Sequence, residues 1–363
     1  MAATMMANAQ NVTVKTETAG TVKDLVKIGL TIEGKMDKTD FNYLDAFAGL
    51  KSLDLKDVTI EAYTADDGKV YSIAEIPDSA FMTNSYLNQN GMTVFTGNKS
   101  IESIVLPASV RVIGASAFNN SVATSVDFSN CKELGLIKDH AFELGGMEKI
   151  DLTGLAALRT IQAYGFDQTH ATEIVLDGCS ALDTLAERAF CQSYFVTSTS
   201  FKGLTALKYI GNRAFLNLGK TSGNAGVVDL TGCSALETID ESAFQSAKIT
   251  GVKFPASLKT IGAKAFNLAA NITEITFEGA VPPALGATAF TNKVMAGATV
   301  YVPAGSEDAY KAQGFENVVT ATAVQGVRAL APAADAPVYE LSGRQATDAT
   351  KGIVVQDGQL FVK

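Results

Sequence analysis

The chain has no tryptophan, two histidines, eight prolines and four cysteines in 363 residues, and charged side chains make up only 18% of it. Each scarcity removes a class of function. The histidines, His140 and His170, fall at different points of the local sequence pattern, so no paired-His motif such as HExxH exists and a zinc centre has no ligand set. No G-x-S-x-G, P-loop or post-strand Rossmann glycine signature is present. Lys and Arg number 29 against 38 Asp and Glu, for a net charge of −9, and the basic residues do not cluster. This excludes a nucleic-acid partner and an acidic membrane surface. No run approaches the roughly 18 apolar residues of a membrane-spanning helix. What the chain has in quantity is hydrophobic residues, 47%, with 19 Phe and 31 Gly. That is ample for a core, with Ser, Thr, Asn and Gly left to cover much of the surface.

The phenylalanines are not scattered. Ala-Phe pairs, with one Gly-Phe variant, end at Phe118, Phe142, Phe166, Phe190, Phe215, Phe244, Phe266 and Phe290, at spacings of 24, 24, 24, 25, 29, 22 and 24 residues. A recurring period in this range is the mark of a solenoid. Aligned on those rings, each unit reads as an alternating strand-like piece, a small-residue turn, a Leu-x-x-Ile or similar pair, and the Ala-Phe. Glu173 to Phe190 shows the whole pattern, with Ile174 and Leu176 on one face. A unit this short cannot bury its own apolar face, so neighbours must stack with parallel strands at roughly 4.8 Å per turn. The rings then form an apolar spine. Phe47 and Phe81 sit in looser units, 34 and 37 residues from their next partners.

This pattern resembles the BspA-like leucine-rich repeats of bacterial surface proteins. The end of the array matches as well, through Val281-Pro282-Pro283, Thr299-Val300-Tyr301-Val302-Pro303-Ala304-Gly305-Ser306 and Ala309-Tyr310. The resemblance implies a right-handed leucine-rich-repeat superhelix, rich in short parallel strands with few helices, and a small C-terminal β hairpin segment. Residues 1–9, ending in the small-x-small Ala7-Asn8-Ala9, read as the remnant of a signal peptide. Residues 10–48 are the N-terminal cap, with a short helix suggested by Val22, Leu25, Val26 and Ile28. The array covers 49–324, with a terminal capping segment from about 281, residues 325–337 form a linker, and 338–363 a β tail similar to those of exported bacterial proteins.

Repeat phase bears on the cysteines. Cys131, Cys179 and Cys233 share one position, two turns or more apart, and Leu155 and Leu204 hold it in between. Two turns are roughly 10 Å, beyond a disulfide's reach of about 7 Å between Cα atoms, so these are expected to be buried small hydrophobes. Cys191 follows a repeat Phe and is expected to be a free, partly exposed thiol.

What the scaffold leaves over is the outward face of the strands, where Asp127, Lys149, Asp151, Glu173, Ser200, Asp229 and Lys253 are expected. A continuous ladder would put Asp127 and Asp151 roughly 5 Å apart. Two insertions add loop surface, Met82 to Lys99 with Tyr86 and Phe95, and Leu216 to Gly226. No catalytic or metal-binding constellation and no cofactor emerge from these residues. The expected function is a non-enzymatic, exported protein at the cell surface or outside the cell, which contacts a partner protein through the strand face and the insertions. The resemblance implies adhesion, with a host matrix or cell-surface protein as partner. The alternative is a glycan or small-ligand binding protein, assisted by calcium, with Tyr194 as a further stacking aromatic.

Overall fold

The computed structural model describes residues 12–16, 29–45, 49–87, 93–96, 100–321, 339–340, 353–356 and 359–362. The chain is a β-solenoid of about eleven turns with parallel strands and few helices. Residues 1–9, the Val22 to Ile28 stretch and the 325–337 linker lie outside the described residues.

Three sets of backbone hydrogen bonds run along the array. The first is built from the alternating segments. Val12–Thr16, Gly29–Met36, Ser52–Ile60, Ser103–Val105 and Ser125–Asp127 form one parallel sheet, Lys149–Asp151, Glu173–Val175 and Ser198–Ser200 a second, and Val227–Asp229, Gly251–Phe254, Glu274–Phe277, Thr299–Val302 and Asn317–Thr320 a third. The second set pairs nine two-residue strands without interruption, from Glu75–Ile76 through Thr160–Ile161 to Ala284–Leu285. These contain the Ile or Leu of the repeat, which points inward and is fully buried in Ile137, Ile161, Leu185, Ile210, Ile239 and Ile261.

The third set is the Ala-Phe turn itself. From Phe118 to Phe266 the residues two before and two after each spine Phe adopt left-handed backbone, as at His140 (φ 58°) and Leu144 (φ 56°) around Phe142, and Arg188 (φ 56°) and Gln192 (φ 55°) around Phe190. From Phe118 to Phe244 these positions and the Phe between them donate to the next turn, as His140 N–H to Ala163 O, Phe142 N–H to Gly165 O, and Leu144 N–H to Asp167 O. Intervening residues bond back within their own turn, as Ala141 does to Lys138 O. Left-handed backbone costs a non-glycine residue about 1 kcal/mol, and here it is held by a bond from each turn to the next.

The spine follows from this spacing. From Phe118 to Phe290 successive rings lie 4.8 to 5.3 Å apart and within 8° of parallel. That separation is the strand spacing, because ladder bonds set the rise of each turn. The 29-residue step to Phe244 keeps a 4.9 Å contact with Phe215, so its extra residues leave as a loop without changing the rise. At the N-terminal end Phe81 stacks on Phe118 at 5.2 Å and meets Phe41 edge-on at 5.9 Å, while Phe47 lies outside the described residues. The looser spacing there is explained by two antiparallel hairpins, Tyr63–Thr64 with Val70–Tyr71 and Asn84–Leu87 with Thr93–Thr96. Ser52–Ile60 pairs directly with Ser103–Val105, so both hairpins leave the first ladder. In the tail, the expected hairpin Ile353–Gln356 with Gln359–Val362 carries a third antiparallel strand, Tyr339–Glu340.

Candidate functional site

The first ladder is broken twice, after Ser125–Asp127 and after Ser198–Ser200. Elsewhere each strand ends in a bond to the turn that follows: Leu106 N–H to Asp127 O, Leu152 N–H to Val175 O, Leu176 N–H to Ser200 O and Leu230 N–H to Lys253 O. The equivalent bonds at the breaks, Phe128 N–H to Asp151 O and Phe201 N–H to Asp229 O, do not form. Both breaks fall where a Phe is followed one turn later by a Leu, Phe128 by Leu152 and Phe201 by Leu230. Leu106 to Phe128, Leu152 to Leu176, Leu176 to Phe201 and Leu230 to Phe254 are all paired steps. Phe254 is followed by Phe277, the two rings stack at 4.9 Å, and their strands pair fully. Phe128 and Phe201 stand edge-on against spine rings Phe142 and Phe215, each at 5.7 Å. A ring held this way is bulkier along the array than a leucine. Without a second ring to stack on, it keeps the next strand from closing. At the second break Thr199 takes an inward position held elsewhere by Ile, Val or Leu, and its hydroxyl is buried without a hydrogen-bond partner.

At the first break the turns are joined just before the strands through Gly146 N–H to Ser121 O at 2.8 Å and Glu148 N–H to Thr124 O at 3.0 Å. Beyond these bonds a groove of about 540 Å³ opens on the outward face, lined by Thr124 to Ser129 and Lys132 on one side and by Glu148, Lys149, Asp151 and Thr153 on the other. The break thus separates Asp127 and Asp151, which a continuous ladder would have set side by side. They stand on opposite walls of the groove.

The carboxylates are partly committed to the backbone. Asp151 Oδ1 accepts from the Thr153 N–H (3.1 Å) and hydroxyl (2.5 Å), and Asp229 Oδ1 likewise from Thr231 (3.1 and 2.6 Å). Asp127 Oδ1 accepts the Ser129 N–H at 2.7 Å. Each closes the turn after its strand, as Asp does two residues before a free N–H. Lys149 bridges Asp151 (3.1 Å) and Glu173 (3.4 Å) on the neighbouring strand. The hydrogen bond that Lys149 donates to Asp151, with help from Glu173, raises the Lys149 pKa. Partial burial pushes the Asp151 carboxyl up, but the Thr153 and Lys149 hydrogen bonds outweigh it and hold the group below its ordinary value.

The sequence-expected surface therefore divides. Asp127, Lys149 and Asp151 line the groove, with Glu173 tied to it through Lys149. Asp229 and Lys253 pair with each other at 3.0 Å beyond the second break, and Ser200 borders that break. Tyr86 and Phe95 occur on the paired strands Asn84–Leu87 and Thr93–Thr96, but their side chains lie outside the described residues. The groove residues that strand reading missed are Lys132 and Glu148. They flank the strands instead of lying on them, and neither forms an ion pair among the described residues. Among the described residues no group of three or more His, Cys, Asp or Glu side chains is placed to hold a metal ion, and no helix is long and apolar enough to cross a membrane.

One further charged cluster lies on the Ala-Phe side. Arg188 donates to Asp167 Oδ2 from Nε (3.1 Å) and Nη2 (2.7 Å), and its guanidinium sits 4.8 Å from the Tyr164 ring centre. The His140 ring stacks on the other neighbour side of Tyr164 at 4.6 Å. The Asp167 side chain is 0% exposed, and burial pushes its carboxyl up despite Arg188. Cys191 lies in this same region and is fully buried, which corrects the expectation of a partly exposed thiol. The position after each repeat Phe is half-covered by its neighbouring turns, and next to Asp167 and Arg188 it is closed over completely. Burial pushes all four thiols up to about 12. A buried thiol that stays protonated does not react. Ellman's reagent should therefore label none of the four in the native protein and all four in denaturant, and rapid native labelling at Cys191 would contradict this placement.

Three comparisons bear on kinship. A family model described as a BspA type leucine rich repeat region matches residues 88–222 and 222–305, in six copies. Among solved structures, a leucine-rich repeat protein from Bacteroides ovatus ATCC 8483 is 15% identical with a TM-score of 0.41, over 70% of this chain and 64% of that one. The chain thus spans under two thirds of that protein's length. The pneumococcal vaccine antigen PcpA is 16% identical with a TM-score of 0.32, over 82% and 80% of the two chains. A leucine rich cell surface protein from Faecalibacterium prausnitzii A2-165 is 14% identical with a TM-score of 0.14, over 63% and 88%. No curated protein matches.

Proposed function

Because the chain belongs to the BspA-type leucine-rich-repeat family, we propose that it is a non-enzymatic, exported interaction protein that binds a partner protein across its outward strand face, centred on the groove between Ser125–Asp127 and Lys149–Asp151. The observation that carries this reading is the groove. It gathers charges of both signs on a scaffold fixed by three sets of turn-to-turn hydrogen bonds. A preformed surface loses little entropy when it binds, so many modest polar contacts can add up to useful affinity. The charges set orientation and partner choice more than strength. Adhesion to a host matrix or cell-surface protein is the role we assign to that surface.

The test is an interferometry screen of the immobilised protein against purified extracellular matrix proteins, repeated with Lys132→Gln, Glu148→Gln, Lys149→Gln and Asp151→Asn combined. Asn retains the acceptor that closes the Thr153 turn and removes only the charge. A matrix protein should bind the native chain and lose about tenfold or more in affinity to the variant, roughly 1.4 kcal/mol. A panel without a binder, or binding that the variant leaves unchanged, would sink the proposal.

A further inference from the structure

The groove has a chemistry of its own beyond its charges. On its two walls the Phe128 N–H and the Asp151 carbonyl are where a ladder bond belongs, and they do not bond each other. Each wall strand pairs in parallel with the neighbour behind it, Ser125–Asp127 with Ser103–Val105 and Lys149–Asp151 with Glu173–Val175, so the edge that each turns to the groove is the one on which a further strand would pair. Lys132 and Glu148, the two lining charges without an ion pair among the described residues, supply one free cation and one free anion. Small hydroxyl residues, Thr124, Ser125, Ser129 and Thr153, line much of the remainder and leave room close to the main chain.

We infer that this groove takes an extended segment of a partner polypeptide, whose main chain supplies the bonds missing between the two walls and whose side chains place a carboxylate by Lys132 and a cation by Glu148. The inference rests on the binding face proposed above and names the form its partner takes there. Recognition would draw its affinity from main-chain hydrogen bonds and its selectivity from the two side-chain charges, as in strand addition at a sheet edge. Phe128 is the positioning residue. It touches no ligand but keeps the walls apart, and Phe128→Leu recreates the Leu-to-Leu step at which Lys149–Asp151 and Glu173–Val175 pair.

The probe is a display library of short linear peptides of random sequence, selected on the folded native chain and counter-screened on Phe128→Leu. Leucine stands at the equivalent position in Leu55, Leu106, Leu152, Leu176 and Leu230, so this variant should fold, and its melting curve checks that it does. The native chain should enrich peptides carrying one acidic and one basic residue. Their binding should drop about tenfold or more in Phe128→Leu, and again when alternate peptide amides are N-methylated. The charge swap Lys132→Glu with Glu148→Lys should select peptides of reversed charge order. If no peptide is enriched, or if enriched peptides bind Phe128→Leu equally well or tolerate N-methylation, the strand-docking inference is overturned. Should a folded matrix protein still bind in a charge-dependent way, the broader binding face survives that result. Loss of both retires both.

Discussion

Replacing Phe166 by alanine should destabilise the protein by about 3 to 5 kcal/mol, read as a lowered urea midpoint with little change in slope. The ring is fully buried and sandwiched between Phe142 at 4.8 Å and Phe190 at 5.2 Å. It has no room to relax, because ladder bonds fix the rise of the turns on both sides and the neighbouring rings cannot close over the cavity. In a repeat array stability is approximately a sum of unit and nearest-neighbour terms. The substitution removes two such contacts from the middle of the chain, so it also weakens the coupling between its halves. Phe195, which is 37% exposed, provides the control, and alanine there should cost much less. Equal losses at the two positions would mean that the stacked rings are not a core.

Arg188→Ala should produce the second large loss, of about 3 kcal/mol, because it leaves the Asp167 carboxylate buried without its cation. The dependence on pH has a definite sign. Burial already raises the Asp167 pKa above its ordinary value, and loss of Arg188 raises it further. An acid whose folded pKa is raised binds its proton more tightly in the folded state. Its stability contribution is therefore fully present below the unfolded pKa and is lost as pH rises through the folded one. The Arg188→Ala protein should recover part of its deficit relative to the native chain as pH is taken from 7 to about 4. Asp167→Asn added to Arg188→Ala should also restore part of it, at neutral pH. A deficit equal at both pH values would place the loss in the packing of Arg188 on Tyr164 rather than in the buried charge.

Much of this architecture is legible from the spacing of the phenylalanines, since a fixed period near 24 leaves a short unit no way to bury Ile174, Leu176 and Phe190 except by stacking. The parallel register follows, with Lys149 opposite Glu173 and Asp229 opposite Lys253. The second ladder is harder to read. Thr160–Ile161 and its equivalents are only two residues long, and they become strands through pairing with other turns rather than through any alternation of their own. The left-handed turns are opaque for a different reason. Such backbone usually marks Gly or Asn, yet it falls here on Tyr164, Arg188 and Arg213, where the next turn's carbonyls hold it.

The candidate site was partly legible. Outward positions on the strands placed Asp127, Lys149 and Asp151 on the right face, but the assumption of an unbroken ladder hid the groove between them. Two signals in the sequence could have exposed it. Asp-x-Ser and Asp-x-Thr at Asp127, Asp151 and Asp229 mark carboxylates engaged in closing turns. The alignment of repeats places Phe128 and Phe201 directly before Leu152 and Leu230. Cys191 could not be placed from the residues that share its position, because its burial depends on Asp167 and Arg188 in that one stretch of the array.

The central claim is that a Phe-to-Leu step opens the strand ladder at Phe128. Residue-resolved amide hydrogen exchange in the free protein tests it most directly. The Phe128 amide should exchange far faster than those of Leu106, Leu152, Leu176 and Leu230, which donate to the following turn, and it should become as protected as they are in Phe128→Leu. Protection of Phe128 equal to theirs in the native chain would mean that the ladder is continuous and the groove closed, contradicting the account.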